Sequence, residues 1–205
     1  MLNFIKEHSH FIAKIFVTQI GMTVFGLMLA MATMQNEALF LWTSVFSILF
    51  YIGLLYSYGW EVGIKDQIKV AAGRLEPKKS LFVWIDLAAN VPNLLLGVLA
   101  CIGWLFMGEP IAAVDPVSMQ EITVYAHEWA ANLFGVCNAI ARFLQAMYLG
   151  VIQTIAPNNP LMLLVIVLPA IAASGLGYYL GVSGRTLRGV FGIKTAYDVD
   201  KKKEQ

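Results

Sequence analysis

The chain has 205 residues, 59% of them apolar and 13% charged, and its mean hydropathy is +0.69. Water-soluble domains carry roughly a quarter charged residues, so a soluble fold of this size has no way to hide so much apolar surface. The 14 Lys and Arg nearly cancel the 13 Asp and Glu, which excludes a global basic field for nucleic acid and makes the position of each charge the informative quantity.

A helix crosses hydrocarbon with about 20 apolar residues, and five segments approach or exceed that length: 14–34, 38–59, 81–107, 129–155 and 161–183. In lipid an isolated span satisfies its own peptide groups only as a helix, and nothing alternates like a barrel strand. The expected fold is therefore all-α, a polytopic helical membrane bundle filling 1–205 as a single membrane domain. Trp42, Trp60, Trp84, Trp104 and Trp129 fall at or near segment ends, where indole rings favour the headgroup level.

The first segment follows Lys6 and Lys14 and ends in Ala30-Met31-Ala32, a small triplet like a signal-peptidase site. Its apolar run is long for a signal peptide, so it reads as an uncleaved helix, closed by the polar turn Gln35-Asn36-Glu37. After the second segment, Trp60, Ile64, Ile68, Ala71 and Leu75 recur every three to four positions, the pattern of an amphipathic helix over 60–75. Its other faces carry Lys65, Lys69 and Arg74, extended by Lys78 and Lys79. Such a basic side suits anionic lipid headgroups or a cytosolic or membrane protein partner such as a transporter ATPase; alternatively the charges only set topology.

The third segment puts Asp86, Asn90 and Asn93 at i, i+4 and i+7, on one helical face, beside Pro92. A loop with Glu109, Asp115, Glu121 and Glu128 and no basic residue leads to the fourth segment, where Asn138, Arg142 and Gln145 repeat the same spacing. Polar groups in lipid turn toward protein or water, so the two stripes are expected to face each other. That cluster reads either as a solute, ion or headgroup site or as interhelical hydrogen bonding that only fixes packing. Pro157-Asn158-Asn159-Pro160 turns the chain into the last segment, whose Ala173, Gly177 and Gly181 form a small-residue ridge. Such a ridge serves intramolecular packing or a homo-oligomer. The basic tail 185–205 is expected to rest on the inner leaflet.

Basic residues flanking spans stay cytoplasmic. Five crossings would leave seven flanking Lys and Arg inside and six, from Arg185 to Lys203, outside. If one segment fails to cross, all of these are cytoplasmic and only Arg142 is buried. Four full crossings plus one re-entrant or interfacial helix, at 129–155, is the arrangement expected, with both termini cytoplasmic.

Catalytic signatures are missing, and no cofactor or metal site is expected. His127-Glu128 lacks the second His of a zincin, since Ala131 and Asn132 stand where it would be. Cys101 and Cys137 lie in apolar runs without metal spacing and read as packing residues.

The run Gly59-Trp60-Glu61-Val62-Gly63-Ile64-Lys65-Asp66, then Gly73-Arg74, Asn90-Val91-Pro92 and Tyr179-Leu180-Gly181 before a basic tail, resembles small multispanning membrane proteins of Gram-positive bacteria. The resemblance implies a bacterial plasma membrane and transfers no catalytic or ligand residue. The expected function is a non-enzymatic membrane protein, a small transport-related or accessory subunit. The alternatives are a binder or enzyme for a lipid-linked phosphate, with Arg142 on the phosphate and Asp86 as base, and an assembly factor that oligomerises through the ridge.

Overall fold

The computed structural model describes residues 2–74, 76, 78–114 and 121–184; the basic tail 185–205 lies outside them, as does Asp115. Helix dominates: α1 (Leu2–Thr33), α2 (Glu37–Ala71), α3 (Leu81–Ala89), α4 (Val91–Phe106), α5 (Glu128–Leu144), α6 (Leu149–Ile155), α7 (Met162–Val165) and α8 (Leu168–Val182). Among the described residues, three helical stretches are long and apolar enough to cross a membrane, Asn3–Thr33, Glu37–Ala71 and Met162–Val182, and up to five if each of two bent pairs counts as one span. Large apolar side chains point outward along them, Val17 and Met28 on α1, Trp42 and Leu49 on α2, and Leu105 on α4, which is 70% exposed. Water-soluble monomers do not display such a surface; a membrane-associated protein does.

The bent pairs fall where the polar stripes were read. Between α3 and α4 the axis turns by 59° at Asn90, where Pro92 in the first turn of α4 supplies no N–H to the preceding turn. Between α5 and the short helical turn Ala146–Tyr148 that leads into α6 it turns by 87°. Elsewhere the periodicity carries further than the apolar segments do. The expected 60–75 helix is, to Ala71, the unbroken continuation of α2; residues 72–74 turn, and Leu75 lies outside the described residues.

The acidic loop departs from a purely helical chain. Pro110–Val114 (β1) pairs antiparallel with Glu121–Tyr125 (β2), Ile111 opposite Val124 and Ala112 opposite Thr123. Ile122, Thr123, Val124 and Tyr125 are β-branched or aromatic, the residues that fit a pleated ribbon.

The chain divides into two compact units. The first contains the chain up to Tyr51 together with Leu87–Pro169. In it α4 and α5 meet where Gly103 lets the backbone of Ala130 and Phe134 approach closely, and Gly97 receives Leu164. Asn36 caps α2, its Oδ1 accepting from the Leu39 N–H at 3.2 Å.

The second unit takes Ile52–Asp86 and the chain from Ala170 onward. Here the last turns of α2 and α8 are packed backbone to backbone. Gly177 faces the carbonyl of Tyr56, Gly181 faces Trp60 and Gly63, and Gly184 faces Gln67. Rising numbers on α8 meet rising numbers on α2, so the two helices run parallel. Tyr178 stacks on Phe82, with ring centroids 5.2 Å apart.

Candidate functional site

The residues of the expected cluster find partners both within their own helices and on other segments. Asp86, fully buried, accepts a hydrogen bond from Ser174 Oγ of α8 at 2.5 Å. Asn93 donates through Nδ2 to Asn90 Oδ1 at 3.1 Å, both side chains buried. Arg142 donates through Nε to Asn138 Oδ1 at 3.0 Å and through Nη2 to the carbonyl of Pro157. Gln145 is 1% exposed and donates through Nε2 to the Leu163 carbonyl at 3.4 Å. Asn138 and Arg142 are half-buried.

Among the basic residues, Lys65 pairs with Glu61 at 2.6 Å and Lys69 with the buried Asp66 at 2.8 Å. The second Asp66 oxygen accepts from the Tyr178 hydroxyl at 3.0 Å. Lys79 lies 5.7 Å from the centre of the Tyr179 ring, while Arg74 and Lys78 are exposed. In the ridge, Gly177 and Gly181 are occupied by α2 of the same chain, and Ala173 is half-buried.

The densest buried polar chemistry of the first unit is instead the break at Gln145. A helix that stops inside an apolar surround leaves carbonyls without an intrahelical partner. Two hydroxyls from other helices serve them. Thr23 Oγ1 of α1 donates to the Leu144 carbonyl at 2.5 Å, and Ser44 Oγ of α2 donates to the Met147 carbonyl at 2.7 Å. Gly26 brings the α1 backbone against Met147, and Gly150 lets the returning chain touch Phe40 and Ser44. Gln19, one turn before Thr23 on the same face of α1, is 5% exposed. The Oε1 atoms of Gln19 and Gln145 are both buried and accept no hydrogen bond among the described residues.

The depth of the break follows from helix rise. Thr23 precedes the end of α1 by ten residues and Ser44 follows the start of α2 by seven, which at about 1.5 Å per residue puts the break roughly 10–15 Å below the α1–α2 turn. From there the chain returns. Gln153 and Thr154 line a groove of 740 Å³ with Met31, Met34 and Glu37, beside that turn. Ala30 and Phe40 line both this groove and a narrow gap bounded by Gly26, Ser44 and Met147. Among the described residues, Glu37 is the only charged one in the groove lining.

Among the described residues no group of three His, Cys, Asp or Glu is placed to hold a metal ion. Of the expected site residues only Gln145 belongs to the break. Gln19, Thr23 and Ser44 were legible only as scattered polar residues inside apolar segments, which is the one signal that marks them. Compared with known proteins, the chain matches no family model, no curated sequence and no solved structure.

Proposed function

We propose that this protein is a non-enzymatic membrane component of the transport-related kind, which admits a small polar solute from the α1–α2 turn side to the helix break at Gln145. The break carries this reading. Non-helical backbone at membrane depth is tolerated only where protein buries it or it lines a water-filled cavity, and discontinuous helices are how many transporters build their binding sites. Here a groove that carries Glu37 lies above a break with backbone carbonyls and the Gln145 Oε1 atom, and Gln19 Oε1 is buried one turn before Thr23; neither amide oxygen has a partner among the described residues.

The same reading takes four crossings. Because α2 and α8 run parallel, an odd number of crossings separates the end of one from the start of the other. Among the described residues only the bent pairs α3–α4 and α5–α6 lie between as candidate spans, so on this reading one of them crosses and the other returns. The return of α6 to the α1–α2 turn supports α5–α6 as the re-entrant one. The charge distribution supports the same count, since the loop from Lys65 to Lys79 and the tail from Arg185 to Lys203 then share the cytoplasmic side. In intact cells, Lys78→Cys and Lys202→Cys, each in a chain lacking Cys101 and Cys137, are expected to be protected alike from an impermeant maleimide. Labelling of one but not the other overturns four crossings.

Solute admission is tested in liposomes. After a hyperosmotic pulse of urea, glycerol or sodium chloride, vesicles with the protein are expected to re-swell faster than empty ones for at least one of these. Ala30→Phe, which narrows the gap below the groove, slows that solute. Equal rates with and without protein for every solute overturn the reading.

A further inference from the structure

We infer that the break at Gln145 is a binding site for a dehydrated monovalent cation, an inference that rests on the solute-admission reading and names its substrate class. The oxygens at and beside the break are neutral: the carbonyls of Leu144 and Met147, the Gln145 amide, and the Gln19 amide on the α1 face that carries Thr23. Gln145 Nε2 donates to the Leu163 carbonyl at 3.4 Å, and its Oε1 accepts no hydrogen bond among the described residues. Gln19 Oε1 is likewise buried and unpartnered among the described residues, one turn from the Thr23 hydroxyl that touches Leu144.

The carbonyls of Leu144 and Met147 each accept one hydroxyl and keep a second lone pair. They belong to the C-terminal end of α5 and the turn after it, where the helix dipole places partial negative charge. Unwound carbonyls and half-helix C-termini are the groups that coordinate alkali cations inside membranes.

The charge of the ligand follows from what the break lacks and what stands beside it. Calcium and magnesium sites rely on carboxylates, and none lines the gap over Ser44 and Met147. Arg142, three residues upstream of Gln145, already brings one positive charge to the end of α5. A divalent ion would meet that charge with no anion to offset it. A monovalent ion costs less to dehydrate and asks only for neutral oxygens. Glu37 at the groove raises the local concentration of cations of either kind, but cannot replace a carboxylate at the break.

The test measures binding separately from flux. Purified protein in mild detergent is titrated with sodium, potassium or rubidium chloride against choline chloride at constant ionic strength. Thermal unfolding and equilibrium dialysis with radioactive rubidium are the readouts. At least one alkali cation is expected to stabilise the protein saturably, and Gln145→Leu to weaken it roughly tenfold or more. Gln145→Glu, which supplies the missing carboxylate, is expected to gain calcium binding, so the inference stays testable if the leucine variant misfolds. Wild-type protein that responds to no alkali cation beyond choline overturns the inference, as does a Gln145→Glu variant that folds and gains no divalent binding. Cation binding without any flux in liposomes supports the site while overturning solute admission; flux of urea or glycerol without cation binding does the reverse.

Discussion

Gly177→Leu is expected to abolish recovery of monodisperse protein in mild detergent, while Gly53→Leu on α2 leaves it unchanged. A Cβ added at Gly177 meets the backbone carbonyl of Tyr56 and lies 3.1 Å from the Trp60 nitrogen, whereas one added at Gly53 meets nothing within 4 Å. Overpacking costs about 1–3 kcal/mol where a side chain can rotate aside, and more where the obstacle is the backbone of a continuous helix. Gly59, Gly63 and Gly181 make the same kind of contact, so spreading the pair at one point forfeits packing along roughly two turns of each helix. Size-exclusion profiles and thermal unfolding of the two variants decide it. If Gly177→Leu yields a well-folded protein, the α2–α8 contact is not what holds the second unit together. If it yields a folded monomer in place of a folded dimer, the ridge joins copies of the chain.

The glycines show how far the sequence carried. Gly177 and Gly181 stand out because spacing of four is visible within one helix, but the α2 residues they meet, Tyr56, Trp60 and Gly63, are more than a hundred residues away, and no local pattern links two helices. Their effect is also hidden in α2, where two glycines in a helical run would weaken it by about 1 kcal/mol each and yet α2 runs unbroken to Ala71. Close packing on α8 offsets that cost. Pro92 and Arg142 likewise marked the two segments that bend, because a missing N–H and a charge in apolar surroundings are local facts. Of the two polar stripes, Asp86, Asn90, Asn93 and Gln145 are buried, and Asn138 and Arg142 are half-buried. Which partner each would take was not legible. Hydroxyl and carboxylate contacts are decided by packing over long sequence separations, as with Ser174 and Asp86, or Ser44 and Met147. The β1–β2 hairpin was missed because its acidic residues pointed to a loop, although the alternation in Glu121–Tyr125 was on view.

The second large effect is expected from removing the two hydroxyls at the break. Thr23→Val and Ser44→Ala keep shape while taking one donor each from the carbonyls of Leu144 and Met147. A buried acceptor left without its partner costs about 1–3 kcal/mol, so the double variant is expected to lose the sum of two such terms, with some coupling because both carbonyls belong to one break. Thr18→Val and Thr154→Val are the controls. Those hydroxyls bond the carbonyls of Lys14 and Gly150 within their own helices, which lie inside α1 and α6 and already serve the helical ladder, so their loss leaves no bare acceptor. Amide hydrogen exchange localises the effect. The double variant is expected to exchange faster across 141–155, with 130–137 unchanged, because the latter is held by the close approach of Ala130 and Phe134 to Gly103. Uniform acceleration through both peptides would mean that the break is not a separate structural element but one part of a single cooperative unit. Unchanged exchange at 141–155 would mean that the carbonyls find water instead, and the break is wetter than its burial implies.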